Sequence, residues 1–305
     1  MILLVTTSNG FLACDLHSGE SHCVHSGSGV YYGISYSSEN IFVAARHLHL
    51  AADDKEVANS RGTILVFDYS LKLVDELSPT FPVRAIHQVL YTENRLLVTS
   101  SFDDMIAVKD DRGWSKWIPV PPRPWRDRNS GGLHFNSILS ISNRIYLLAH
   151  NFGPSCIYEF DAQSLALRRS VLLGSHAHNI WFENDLLLTC SSLDECIVSE
   201  KGKVVHTGNY PRGIAVTGEG SYVGISRVVR DRIERARQDC FIASFSPDWH
   251  LRGCFRLRGG GMVHDIRCPG RADASHPHLL GRGLDLGYVR SHCPRVPLEV
   301  CDLPR

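Results

Sequence analysis

Histidine is the side chain whose ordinary titration lies closest to neutral pH, and its neutral ring is a common ligand of Zn, Cu, Fe and Ni. Five histidines of this chain stand in or beside short apolar segments. His87 lies in "RAIHQVLY" (84–91), His134 in "GLHFNSIL" (132–139), His176 and His178 in "HAHNIWF" (176–182), and His264 in "MVHDI" (262–266). Two chemistries follow from such a set. Three imidazoles on one point would hold a transition metal and leave coordination positions open for a substrate. Imidazoles without a metal would move protons. Either requires rings far apart in the chain to converge, so the elements that carry them decide the matter.

Those elements are repeats. "ENRLLVTSSFDDMIAVKD" (93–110) and "ENDLLLTCSSLDECIVSE" (183–200) both read as a Glu-Asn turn, an apolar strand, a small polar loop ending in acidic residues, and a second strand. Weaker copies of this hairpin occur at 1–16, 38–68, 142–161 and 218–248. A short strand precedes each internal copy, and a further strand follows each hairpin. Four-strand units at a period of roughly 40–50 residues are the signature of a β-propeller. The hairpin at 1–16 has no leading strand, and "MVHDI" leads no hairpin. The two complete one another and predict a six-bladed ring closed by a blade drawn from both chain ends. The propeller is expected over 1–267. Residues 268–305, rich in Pro, Gly, Arg and His, are expected to form an irregular tail.

In a propeller the leading strand of each blade lines the central channel. Aligned on the apolar residue two places on, the six leading strands show Tyr32, His87, Asn136, His178, Arg212 and His264 at one position. Alternation puts residues i and i−2 on the same face. His134 and His176 therefore belong to a neighbouring layer, nearer the mouth. Channel positions are polar in any propeller because the channel holds water. Five imidazoles on four strands, with almost no carboxylate except Asp265, exceed that need.

The repeat pattern over 1–267 resembles the six-bladed superfamily that includes NHL-repeat, gluconolactonase-like and strictosidine-synthase-like propellers. The gluconolactonase-like members hold calcium with acidic and amide side chains on inner strands. No such carboxylate set is present here, so that activity is not implied.

The expected site therefore has His87, His178 and His264 as ligands of a transition metal ion (Fe, Zn, Cu or Ni) or as acid–base groups in its absence, with His134 and His176 as candidates for a fourth. His134, His176 and Tyr32 are its acid–base groups. Arg212, Arg84 and Asn136 are set to hold a small anionic substrate, because guanidinium forks match carboxylate and phosphate geometry. Long loops at 45–62 and 226–240, and the segment 119–132 with Arg123, Trp125, Arg126 and Arg128, are expected at the channel mouth. A short helix is expected through Val229, Ile233 and Ala236. Its arginines Arg230, Arg232, Arg235 and Arg237 read as a solvated face paired with nearby acids.

Composition narrows the classes. Lys+Arg and Asp+Glu both number 32, so bulk attraction to nucleic acid or an acidic membrane is not expected. The ten cysteines form no CxxC pair. No apolar run nears the roughly 20 residues that cross a bilayer, and the N-terminus lacks the basic start of a secretion signal. The expectation is a cytoplasmic protein with unpaired thiols. The sequence also leaves open a non-catalytic propeller that binds a protein or peptide on its loop-rich face.

Overall fold

The computed structural model describes residues 1–121, 132–277 and 282–303. The chain begins with β1 (Ile2–Thr7), β2 (Phe11–Asp15) and β3 (Glu20–His25). A sheet of β4 (Tyr31–Tyr36), β5 (Ile41–Ala45), β6 (Thr63–Phe67) and β7 (Leu73–Leu77) follows, with helix α1 (Asp54–Ala58) between β5 and β6. The next sheet holds β8 (Ile86–Thr92), β9 (Arg95–Ser100), β10 (Met105–Asp110) and β11 (Gly113–Trp117). Then come β12 (Phe135–Ile141), β13 (Arg144–Ala149), β14 (Pro154–Asp161) and β15 (Leu167–Ser175). A fourth sheet contains β16 (Ala177–Glu183), β17 (Leu186–Ser191), β18 (Cys196–Ser199) and β19 (Gly202–His206).

The last run is β20 (Tyr210–Thr217), β21 (Gly220–Ser226), β22 (Cys240–Phe245) and β23 (Leu251–Leu257), with helix α2 (Arg232–Arg237) between β21 and β22. Strand β24 (Val263–Arg267), helix α3 (Gly287–His292) and β25 (Arg295–Cys301) complete the described chain.

Local chemistry explains the hairpins. The β8–β9, β12–β13 and β16–β17 connections are two-residue loops at Glu93-Asn94, Ser142-Asn143 and Asn184-Asp185, and both residues of each have positive φ. That is the primed turn whose twist matches the flanking strands, and Asn and Asp tolerate it. Burial grades outward within a sheet: β4 and β5 are buried throughout, whereas β7 is almost wholly exposed. The second strands β5, β9, β13 and β17 are covered on both faces and read as near-continuous apolar runs. Apolar clusters join each run of strands to the next. A further cluster joins β1–β2 to β4–β6 and so returns to the start.

As expected, β24 pairs with β1, so the two ends of the chain share one sheet. The tail differs from expectation. Rather than being irregular, it contributes α3 and β25, and β25 pairs with both β23 and β3. The outer edges of two strand runs would otherwise present unpaired N–H and C=O groups, and β25 satisfies them. Among the described residues the result is four four-stranded sheets and one nine-stranded sheet, the latter in the order β20-β21-β22-β23-β25-β3-β2-β1-β24. Among the described residues no helix is long and apolar enough to cross a membrane.

Candidate functional site

The leading strands β4, β8, β12, β16 and β20 each break register with their neighbour at the aligned channel position. The shifts fall between Tyr31 and Ile34, Ile86 and Val89, Phe135 and Ser137, His178 and Ile180, and Pro211 and Ile214. A bulge inserts one residue, bends the strand and re-aims its side chains. Just upstream, Ala85, His134 and His176 have φ of 49°, 57° and 47°. Non-glycine residues held in the left-handed region cost free energy and cluster at functional sites. These distortions turn one ring of side chains into a shared cavity of about 700 Å³.

Its wall is a belt of rings. Tyr32 lies 4.4 Å from His87, which lies 4.7 Å from His134. His134 is 5.2 Å from His150, and His150 is 4.5 Å from His176 and 5.3 Å from His178. His178 in turn is 5.6 Å from Tyr210. His87, His150 and His178 are buried, while His134 and His176 are half-buried above them, as the alternation predicts. Arg46 and Arg212 also line the cavity and are buried. The Arg212 guanidinium lies 5.3 Å from the Tyr32 ring, and Arg46 donates to the Tyr32 hydroxyl at 3.5 Å. Among the described residues neither guanidinium has a carboxylate in ion-pair contact, and the Arg46 Nε has no hydrogen-bond partner.

Hydrogen bonding fixes which nitrogen of three imidazoles carries the proton. His87 Nδ1 lies 2.7 Å from the Ala85 carbonyl, which can only accept, so Nδ1 is protonated. It also lies 2.9 Å from Ser101 Oγ, whose own proton goes to the Phe135 carbonyl. His178 repeats this: Nδ1 is 2.9 Å from Ser192 Oγ, and that hydroxyl donates to the Pro211 carbonyl at 2.6 Å. When neutral, both rings therefore turn a bare Nε2 lone pair to the cavity. His150 is the opposite tautomer. Its Nδ1 accepts the Phe152 N–H at 3.1 Å, which leaves the proton on Nε2.

Burial holds all three neutral. It pushes His87, His150 and His178 well below the usual histidine range, and the Arg212 charge reinforces the shift in each. Burial does the same to His134 and His264. Burial also lowers Arg212 from its ordinary value and raises Tyr210. The site thus combines neutral bases, a neutral donor and two buried cations.

Several expected residues have other roles. His264 lies behind Tyr32, 4.6 Å from that ring and outside the cavity lining, with its Nε2 at 3.2 Å from Ser8 Oγ. Tyr32 therefore stands between His264 and His87. Among the described residues no three His, Cys, Asp or Glu side chains are set out to hold a metal ion, so the expected ligand set of His87, His178 and His264 is not assembled. Arg84 does not line the cavity. Its guanidinium pairs with Asp103 and lies 4.6 Å from the Phe102 ring centre. Asn136 is buried and donates to the Ala177 carbonyl at 2.8 Å, linking neighbouring sheets rather than facing a ligand. Arg123, Trp125, Arg126 and Arg128 lie outside the described residues. Helix α2 forms near its expected place, but Ile233 is exposed and the Asp231 side chain caps the helix. Arg230, Arg232 and Arg235 line the cavity, which corrects the reading of all four as a solvated face.

Below the imidazoles, the residue following the ring position builds a floor. Asp265 is fully buried and accepts from Ile34 N (2.9 Å), Gln88 Nε2 (3.2 Å), Asn179 Nδ2 (3.3 Å), Ile266 N (3.0 Å) and Arg267 (3.1 Å). One carboxylate so ties strands from four leading positions. Gly213 has φ 81°, and a Cβ there would come within 3.0 Å of the Asp265 backbone, so the close approach needs glycine.

Arg46, His150, Ser101, Ser192 and Tyr210 were not foreseen. A spacing could have found four of them. Ser101 and Ser192 stand 14 residues after His87 and His178, and Arg46 stands 14 after Tyr32. His150 follows Asn136 at the same interval. Each is the first residue beyond the strand that pairs with the leading strand, so it returns to the channel beside the ring position.

No family model matches this chain, and no curated protein matches it in sequence. It superposes on a solved structure described as a nidogen/laminin complex with a TM-score of 0.62 at 11% identity, over 87% of this chain and 97% of that one. With the outward gradient of burial and the closed succession of sheets, that likeness decides the architecture. The fold is a β-propeller. Lower likenesses are to a streptogramin B lyase (TM-score 0.42, 14% identity, 88% of both chains) and to a catalytically inactive virginiamycin B lyase from Staphylococcus aureus with quinupristin. The latter has a TM-score of 0.43 at 10% identity over 83% of this chain and 85% of that one.

Proposed function

We propose that the cavity is the site of an enzyme that binds a small organic anion and moves a proton on it. The observation that carries this reading is the pair of buried guanidiniums, Arg46 and Arg212, facing a cavity beside neutral imidazoles of fixed tautomer. A buried charge without a carboxylate partner is costly. A carboxylate or phosphate of the ligand supplies the missing partner. His87 or His178 then accepts a proton through Nε2 and, as the imidazolium, returns it to another atom of the substrate or to its leaving group, while His150 donates a hydrogen bond from Nε2–H. Charge developing on a substrate oxygen is stabilised by Arg46, Arg212 and the Tyr32 hydroxyl. Isomerisation or elimination next to a carboxylate are the reaction types this set serves.

Binding and basicity are coupled in such a site. The arginine charge helps depress the imidazoles, so an anion seated between the guanidiniums relieves that field and makes His87 and His178 stronger bases. The bases are thus most effective when substrate is present.

The same proposal takes the propeller as six-bladed, with the nine-stranded sheet counted as two blades bridged by β25. It places the protein in a reducing compartment such as the cytoplasm, consistent with the absence of disulfides among its cysteines.

Thermal unfolding with a panel of small carboxylates and phosphates tests the reading. Members of the panel raise Tm, and Arg212→Met abolishes the rise. Metal analysis of the purified protein is the companion measurement. A stoichiometric transition metal that is lost in His178→Ala would replace proton transfer by metal chemistry. A metal-free protein indifferent to every anion would favour a scaffold that binds a protein partner.

A further inference from the structure

The cavity is lined by arginines at two degrees of burial, with Asp54 and Glu195 also in its lining. At depth, Arg46 and Arg212 are buried, and it is their charge that acts on the imidazoles. At the mouth, the loop carrying α2 places Arg230 and Arg235 on the same cavity, Arg230 exposed and Arg235 half-buried. The Arg235 guanidinium is steadied by the Val229 carbonyl at 3.0 Å from its Nε, not by a carboxylate. Neither Arg230 nor Arg235 is in an ion pair among the described residues, although Asp231 and Glu234 are their chain neighbours. Asp231 is instead engaged at the α2 N-terminus, where its side chain accepts from Ile233 and Glu234. Tyr210 lines the same cavity and lies within the field of both Arg212 and Arg235. The imidazole and phenol rings supply the uncharged part of the lining.

We propose that the ligand is an elongated dianion, with one anionic group held by Arg46 and Arg212, an uncharged middle against the rings, and a second anionic group held by Arg230 and Arg235. This rests on the anion reading above and narrows it. A ligand with a single charge leaves one level of guanidinium unanswered. Guanidinium forks take carboxylate and phosphate alike, so the class is a small molecule with phosphate or carboxylate at each end. The mouth arginines would also draw the dianion in from solution before the deeper pair engages it.

Isothermal titration at fixed ionic strength with matched probes tests this. Fructose 6-phosphate carries one phosphate and fructose 1,6-bisphosphate carries one at each end, and inorganic phosphate is the third probe. The bisphosphate is expected to bind at least tenfold more tightly than the monophosphate. Arg235→Gln is expected to reduce that ratio to about two or less. Because Arg235 also steadies its own loop, Arg230→Gln, at an exposed position, is the second variant and should reduce the ratio too. Arg212→Gln weakens both sugar phosphates. If the wild-type protein binds the two sugar phosphates within twofold, the two-ended ligand is overturned while the anion site stands. A tenfold preference that survives both mouth substitutions overturns it as well. If none of the three probes binds, the anion reading falls with it.

Discussion

His178 Nδ1 lies 2.9 Å from Ser192 Oγ, and Ser192 passes its own proton to the Pro211 carbonyl on the next leading strand. The imidazole tautomer is thus set by backbone of a neighbouring sheet, so the propeller's packing is what makes Nε2 a base. Ser192→Ala removes the acceptor of a buried N–H and should cost about 1–2 kcal/mol of stability. It should also allow the Nε2–H tautomer of His178. Chemical denaturation measures the first effect, and histidine nitrogen chemical shifts measure the second. Ser101→Ala should leave the His87 tautomer in place, because the Ala85 carbonyl still accepts at 2.7 Å.

The neutral imidazoles make stability depend on pH in a definite direction. Burial lowers His87, His134, His150, His178 and His264 below the ordinary histidine value of 6.5. Below that value the unfolded chain binds protons that the folded protein refuses, so stability falls as pH drops through 6.5 and is level above it. Each such ring contributes a slope of up to about 1.4 kcal/mol per pH unit. Asp265 and Asp273, raised by burial, act with the opposite sign from about the ordinary aspartate value of 3.8 upward. Thermal unfolding between pH 5 and 8 should show the histidine slope, and His178→Gln should reduce it. A flat profile would mean that the rings are hydrated.

If the cavity is the anion site proposed above, Arg212 is held in the core at a cost in stability. Arg212→Met, or Arg46→Met, removes a buried charge with no ion-pair partner. Either should raise the stability of the ligand-free protein by about 1–3 kcal/mol while abolishing anion binding. Calorimetric unfolding of the variant beside the wild type checks this, and a destabilised Arg212→Met would mean that its charge is already compensated.

Asp265 behaves differently because its partners are already in place. Asp265→Asn loses acceptor capacity for five donors and leaves buried Arg267 without its counter-charge. Breaking a buried pair costs about 3–5 kcal/mol, so a large loss in denaturant midpoint is expected. A loss below about 1 kcal/mol would show that the floor is not held by this carboxylate.

Deleting residues 287–305 removes α3 and β25 and uncovers the edges of β3 and β23. The truncated chain should melt at lower temperature and self-associate through those edges, which size-exclusion chromatography reads directly. A monomeric truncation of unchanged Tm would make the bridge dispensable.

The blade pattern, the end-to-end pairing of β24 with β1 and the convergence of His87, His134, His176 and His178 were legible because strand alternation and turn chemistry are local. The ring position assigned to Tyr32 and Arg212 came from the same alternation. What escaped the sequence depended on contacts between sheets. Whether His264 faced the cavity turned on Tyr32 lying across it, and Arg84 was lost to Asp103 on a neighbouring loop. The second layer of the site, Arg46 and His150, lies where β5 and β13 end, and its repeat spacing becomes informative only once the pairing strand is known to return to the channel. β25 was missed although Val296, Leu298 and Val300 alternate with Arg295, Pro297 and Glu299, because a proline inside the run and the Pro-, Gly-, Arg- and His-rich chain before it argue against a strand.

The most direct measurement is a nitrogen-15 histidine NMR titration of the protein, with and without a bound anion. His87 and His178 should appear at pH 7 as neutral rings protonated on Nδ1, and His150 as a neutral ring protonated on Nε2. Addition of a small anion should move the titration of His87 and His178 to higher pH. Imidazolium signals at pH 7, or titrations that the anion leaves unmoved, would contradict a site in which buried arginines and neutral histidines await an anionic substrate.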